Sequence, residues 1–337
     1  MKEEPEKFVA KSRFWQQSLL KQLIEQHHAE RLPHGIILHT DQTSDLSAFL
    51  WQLATSLLCQ NKSQELNCGH CKQCQLMEAN SYPDMLWITK LYNEKRKKLN
   101  RDITVDQIRD LIYQLSLTNQ YQTLKIAIIY PAERLNKNSA NSLLKTLEEP
   151  EPDTFIILAT HQIGQIPVTI RSRCQLYKIP QADKQQSLQW CLEQGYNEKQ
   201  LNAVLQQGIT DPVTITNLLS EDYLSIQAQC ESQMLAYIDK EKQQNLVSLS
   251  QDLSALPKDM MRLVINGFIE RLIRFNMNAL KHGPFYEVFI QPSSRTAQAL
   301  FILKNKVQRQ LLFEENNLNV QLQIEDVLIS LKTILTR

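Results

Sequence analysis

The chain has 337 residues, 42% hydrophobic and 22% charged, which gives it material for two or three folded domains and excludes a disordered protein. Its 37 basic and 36 acidic side chains leave a net charge of +1, which excludes a global field steering it to nucleic acid. Seven glycines are few for this length and argue against glycine-rich loops and twisted all-β architecture, whereas abundant Leu, Gln and Ala predict helix. Residues 1–15 lack the apolar run of a signal peptide, and no run of about 18 apolar residues occurs, so a cytosolic protein without membrane contact is expected. Seven cysteines in a reducing compartment are then free thiols or metal ligands rather than disulfides.

In chain order, Phe14, Leu19, Leu20 and Ile24 share one helical face before a break at Pro33-His34-Gly35. Gly35–His39 is short and apolar, the profile of a buried parallel strand. Ser44 suits the N-cap of a helix that turns Leu46, Phe49, Leu50, Leu53, Leu57 and Leu58 inward. Strand, short loop and helix form the setting of a phosphate-binding loop. Residues 40–44, Thr-Asp-Gln-Thr-Ser, contain neither the glycine that lets amides curl around phosphate nor the lysine that neutralises it. A nucleotide site here is absent or degenerate.

Cys59, Cys68, Cys71 and Cys74 follow in the pattern C-x8-C-x2-C-x2-C. Four thiolates so close in sequence can wrap a tetrahedral Zn²⁺, each two-residue spacer making a knuckle and Gly69 supplying turn freedom. A complete thiolate shell leaves no open position for water, so the site is expected to be structural, with His70 outside it. The alternative is four unrelated buried cysteines. Cys174, Cys191 and Cys230 are isolated and read as ordinary buried cysteines.

A strand is expected at residues 85–89, and the basic run 93–98 reads as a solvated loop, with a partner or DNA contact as the rival. Thr104 or Asp106 can cap a helix carrying Ile108, Leu111, Ile112 and Leu115, and residues 125–130 form a second buried strand. After that strand a nucleotide hydrolase presents acidic residues for Mg²⁺ and water. The sequence there is Tyr130-Pro-Ala-Glu133, so one carboxylate remains, and Glu133 reads as a surface residue or cap. A helix over 139–149 and a strand Thr154–Thr160 complete a strand–helix alternation typical of a parallel sheet covered on both faces.

Arg171 and Arg173 lie in the turn that follows. They are either surface salt-bridge arginines or phosphate ligands, because guanidinium stays charged and binds phosphate as a fixed fork. A fold shaped for ATP but stripped of its own site can still offer an arginine to a neighbour's γ-phosphate. Past Pro180 short helices are expected at 187–194, 199–206 and 213–219, then long helices from about Leu224 onward, interrupted at Pro257 and 281–292. Leu263, Phe268, Leu272 and Ile273 fit a core stripe, as do Leu322, Ile324, Leu328, Leu331 and Leu335, with Met260, Met261 and Met277 as core filling.

Three segments together carry a specific resemblance: Cys59 with Cys68-Gly-His-Cys-Lys-Gln-Cys74, Asn141-Ser-Leu-Leu-Lys-Thr-Leu-Glu-Glu-Pro150, and Ser172-Arg173-Cys174. Over residues 35–180 the chain resembles the delta-prime subunits of the bacterial DNA polymerase III clamp loader, within the AAA+ clamp-loader family. The resemblance implies an α/β AAA+-like module at 1–179 with a zinc module inserted at 59–74, a small helical lid at 180–222, and an all-α collar at 223–337. It also implies a subunit of a DNA-directed DNA polymerase holoenzyme that hydrolyses no ATP and binds none at its own site. By resemblance, Arg173 acts as an arginine finger toward the ATP of an adjacent gamma/tau-type subunit, in a pentameric ring with the delta subunit. That ring places a sliding clamp on primed DNA. Thr160 matches the position called sensor 1 in active relatives, and residues 208–219 lack the arginine that those members place in the lid. Two alternatives stand beside this: an active clamp-loader-type ATPase with an atypical phosphate loop, and a zinc-containing DNA-binding subunit.

Overall fold

The computed structural model describes residues 13–40, 46–61, 66–94, 97–117, 124–206, 208–220, 222–239, 244–277, 292–312 and 319–335. The chain forms two compact units, residues 1–187 and 188–337.

The first unit is built on five parallel strands: β1 (Gly35–His39), β2 (Met85–Ile88), β5 (Lys125–Ile129), β6 (Thr154–Thr160) and β7 (Gln175–Lys178). They lie in the order β2-β5-β6-β1-β7. Successive residues of a strand point to opposite faces, and here both faces are apolar. Ile36, Leu38, Ile126, Ile128 and Ile157 face one layer, formed by α1 (Gln17–His28), α2 (Ser47–Leu58) and Met77 of α3 (Lys72–Glu78). Ile37, Ala127, Ile129, Ile156 and Leu158 face the other, formed by α4 (Val105–Ser116), α5 (Lys137–Glu148) and α6 (Val168–Arg171). This is a parallel α/β sheet covered by helices on both faces, the layering that the strand–helix alternation implied.

Local signals explain several boundaries. The Thr104 hydroxyl accepts from the Gln107 amide while Gln107 reaches back to the Thr104 N–H, closing a capping box at α4. Asn136 caps α5 by accepting from the Ser139 amide at 2.9 Å. Lys125 is buried at the start of β5, where its Nζ donates to the carbonyls of Leu115, at 2.5 Å, and Leu117 at the end of α4. A cation among the last carbonyls of a helix satisfies orphan acceptors and suits the helix dipole.

The second unit contains α8 (Glu198–Leu205), α9 (Pro212–Ser220), α10 (Tyr223–Ile238), α11 (Leu246–Ala255), α12 (Lys258–Asn276), α13 (Ser294–Leu312) and α14 (Val320–Leu335). Between β7 and α8, α7 (Lys184–Glu193) spans the boundary of the two units. Leu201, Ile215, Tyr223, Met234, Phe268, Leu300, Leu328 and Leu331 belong to one continuous apolar core. Among the described residues no helix is long and apolar enough to cross a membrane.

Some expected positions moved. Phe14 is 40% exposed and the core place is taken by Trp15 at 6%, because residues 14–16 form a 3-10 turn ahead of α1 and fall out of its register. Met277 is 66% exposed, one residue past the end of α12, and Leu322 is 61% exposed on α14. The two ends of the basic run pair antiparallel, β3 (Tyr92–Asn93) with β4 (Lys98–Leu99), separate from the main sheet. Residues 41–45, most of the expected phosphate loop with the Ser44 cap, lie outside the described residues, as do 278–291 and residues 95–96 of the basic run.

Replacing Lys125 with Met keeps the side chain's length and removes its donors. Lys125→Met is expected to cost about 1–3 kcal/mol of stability, the penalty for carbonyls left without partners. Urea denaturation of the full chain checks this, and an unchanged midpoint would refute the capping role.

Candidate functional site

The four cysteines named from their spacing come together. Cys59 ends α2, Cys68 and Cys71 lie in the following loop, and Cys74 sits inside α3. Their sulfurs all lie within 4.8 Å of one another. Cys68 and Cys74 are 3.9 Å apart and Cys59 and Cys71 4.0 Å, close to the edge of about 3.8 Å that a tetrahedron with Zn–S bonds of about 2.3 Å requires. Two amides point at the sulfurs: Cys71 N–H donates to Cys68 Sγ at 3.3 Å and Cys68 N–H to Cys59 Sγ at 3.4 Å. Gly69 takes φ of +75° in the knuckle between them. His70 is exposed and its Nδ1 pairs with the Cys68 carbonyl at 2.8 Å, outside the sulfur set.

The thiols do not ionise alike. Burial works to raise Cys71, but amide and thiol donors from Cys74, Gln60 and Cys68 outweigh it and bring it down to about 6. The His70 amide lowers Cys68, while burial pushes Cys59 and Cys74 up. Sulfurs this close cannot all become thiolates unless a cation joins them, so the donor set suits a soft divalent metal.

A second constellation lies at the carboxyl ends of the strands. Thr160, fully buried at the end of β6, donates its hydroxyl to Glu133 Oε2 at 2.7 Å and accepts from the Gln162 amide at 2.9 Å. Glu133 is therefore no simple surface residue; it is half-buried in the 3-10 turn after β5. Beside this pair the Tyr130 hydroxyl lies 3.0 Å from His161 Nε2. Neither the Thr160–Glu133 bond nor the Tyr130–His161 contact was legible in sequence, since the partners are 27 and 31 residues apart.

Arg173 sits at the opposite end of the sheet. It follows α6 and precedes β7, beside Gly35, the first residue of β1. A Cβ on Gly35 would meet Cys174 Sγ and Leu147 at 3.3 Å and the Arg173 carbonyl at 3.4 Å, so glycine permits the turn to lie against the strand. The Arg173 Nε donates to Glu148 Oε1 at 2.7 Å, its Nη2 donates to the same oxygen, and its Nη1 donates to the Thr169 carbonyl at 2.8 Å. Both charged groups are partly exposed. Arg171 is exposed on α6, and its side chain has no partner among the described residues.

A protein-family model described as DNA polymerase III, delta subunit matches residues 15–183. The DNA polymerase III subunit delta' of Pseudomonas aeruginosa is 36% identical over 177 residues, covering 52% of this chain and 51% of that protein. The DNA polymerase III subunit delta' of Yersinia pestis is 35% identical over 176 residues, covering 52% and 50%. The chain spans about half the length of the curated relatives it matches. The crystal structure of a DNA polymerase III, gamma subunit-related protein from Thermotoga maritima covers 95% of this chain and 99% of its own, with a TM-score of 0.48 and 17% identity.

Burial pushes the Cys174 thiol up to about 11 from its ordinary 9.0. Because the folded value is raised, the contribution to stability is full below pH 9 and is lost as pH climbs toward 11. Iodoacetamide at pH 8 should therefore spare Cys174 in the folded chain and modify it in urea. Equal labelling of the Cys174 peptide in both states, read by mass spectrometry, would contradict this.

Proposed function

The chain belongs to the DNA polymerase III delta subunit family, and from that premise we propose that it is a non-hydrolysing, delta-prime-type subunit of a clamp loader. In this reading it lends Arg173 to the nucleotide of an adjacent gamma/tau-type ATPase subunit. The partners are those ATPase subunits and a delta subunit in a pentameric ring, with the sliding clamp and primed DNA as the cargo of the complex. The division into an AAA+-like domain at 1–179, a lid at 180–222 and a collar at 223–337 belongs to the same proposal.

One observation carries the reading: the arginine and the chain's own nucleotide end lie at opposite ends of the sheet. Arg173 adjoins Gly35, whereas His39, four residues on, pairs in register with Thr160. At about 3.3 Å per residue the two ends of β1 are about 13 Å apart, farther than an arginine side chain extends. A phosphate met by Arg173 is therefore favoured to belong to another chain. The chain's own end supports the same view. Thr160 and Glu133 are spent on each other, and residues 40–44 carry neither glycine nor lysine.

Mechanistically, phosphoryl transfer spreads charge over the transferred group, and catalysis is mostly positioning and charge stabilisation. An arginine supplied in trans adds a cation and directed donors to that charge without entering the covalent chemistry. Cys59, Cys68, Cys71 and Cys74 would hold a structural Zn²⁺ as a closed thiolate shell that stiffens the α2–α3 connection.

Arg173→Ala in the reconstituted loader should slow ATP hydrolysis at the adjacent site. Fingers of this kind are worth about 10³–10⁵ in the best-studied GTPases, and one site among several will show less in the total rate. Unchanged hydrolysis, or micromolar ATP binding by the isolated chain, would sink the proposal. For the metal, elemental analysis should find about one zinc per chain purified without chelator, and stripping it should lower the melting temperature. Zinc-free protein with an unchanged melting temperature would remove that part of the reading.

A further inference from the structure

We propose that Glu148 is the positioning residue for Arg173, anchoring one edge of the guanidinium so that its end-on edge faces a phosphate on the neighbouring chain. This rests on the finger reading above and adds a residue to it. A guanidinium has five N–H donors. Nε and one Nη2 donor go to Glu148 Oε1, and one Nη1 donor goes to the Thr169 carbonyl. The remaining contact, Nη1 to Ser172 Oγ at 3.4 Å, is long. One Nη2 donor is thus left on the end-on edge, and the long Ser172 contact on Nη1 is the one that a phosphate would displace to be gripped bidentately.

The anchor is itself fixed. Glu148 is the last residue of α5, and the preceding Leu147 is buried against the start of β1. His34 Nε2 donates to the Leu147 carbonyl at 2.8 Å, tying the end of the helix to the residue before β1. The carboxylate therefore stands on a rigid element. Arg171 shows the contrast: two residues earlier, it is exposed without such an anchor. An unanchored arginine must freeze several rotamers on meeting its ligand, and part of the benefit of the contact is lost in doing so. Glu148 restrains Arg173 beforehand and leaves the delivering edge with only the long Ser172 contact to give up.

The rival role for Glu148 is competition, a carboxylate that must let go before phosphate can bind. The two roles predict opposite signs. In a loader reconstituted with the full chain, Glu148→Ala should lower kcat for ATP hydrolysis about tenfold or more, the scale of effect seen when a catalytic group is misplaced by about 1 Å. KM should stay within roughly twofold, because the contact matters in the transition state more than in binding. Glu148→Gln, whose amide oxygen still accepts both N–H bonds, should restore most of the rate. Arg173→Ala with Glu148→Ala should be no slower than Arg173→Ala alone. Faster or unchanged hydrolysis with Glu148→Ala overturns the proposal, as does a double variant slower than Arg173→Ala. If Arg173→Ala itself changes nothing, the finger reading falls and takes this one with it. If Arg173→Ala is slow and Glu148→Ala is not, only the positioning role fails. Matching thermal melts for all variants exclude loss of fold as the cause.

Discussion

The close approach of residues 173–174 to the first residue of β1 fixes where the arginine can be. With Cys174 Sγ, Leu147 and the Arg173 carbonyl all crowding the place where a Gly35 side chain would begin, three segments distant in sequence are locked together. Those segments are the end of α5, the start of β1 and the turn into β7. Cys174 acts here as a small apolar filler, and its raised pKa reflects that burial. Arg173 inherits its position from this packing, and Glu148 inherits its own from the same helix end.

Parallel topology then separates two jobs. In open α/β sheets, ligands gather beyond the carboxyl ends of the strands. Among the described residues at that end, polar groups bond to one another, Thr160 with Glu133 and Tyr130 beside His161. Arg173, paired with Glu148, lies at the amino ends, across the length of the sheet. In the proposed clamp-loader role, that separation suits work on a neighbouring chain's ligand better than work on its own.

β1, β5 and β6 were legible because they are short, apolar and buried on both faces, and β1 and β6 lie where the pattern put them, whereas the edge strand β7, Gln-Leu-Tyr-Lys, is largely exposed and was missed. The cysteine set was legible because its spacing encodes knuckle turns. What stayed hidden depended on contacts between distant residues. Nothing local marks Glu148 as the partner of a residue 25 positions on, or Glu133 as the acceptor for Thr160. Helical periodicity placed Phe14 and Leu322 inside because it records the period of a pattern and not where a helix starts or what covers its flanks. Met277 failed for a related reason, since α12 ends one residue before it. The basic run read as a loop because strands of two residues leave too little alternation to detect.

Stability and the proposed function draw on different residues. Each fully buried Leu or Ile in the two layers contributes about 1.5–3 kcal/mol, and the sheet carries many of them. A partly exposed ion pair such as Arg173 with Glu148 contributes about 0–1 kcal/mol, too little to matter for folding. That weakness is compatible with a directional role, because restraining a guanidinium takes geometry more than energy. The four thiols differ in this respect. Four sulfurs gathered this closely could hold a metal ion, and where one binds, the binding chemistry and the local fold are coupled.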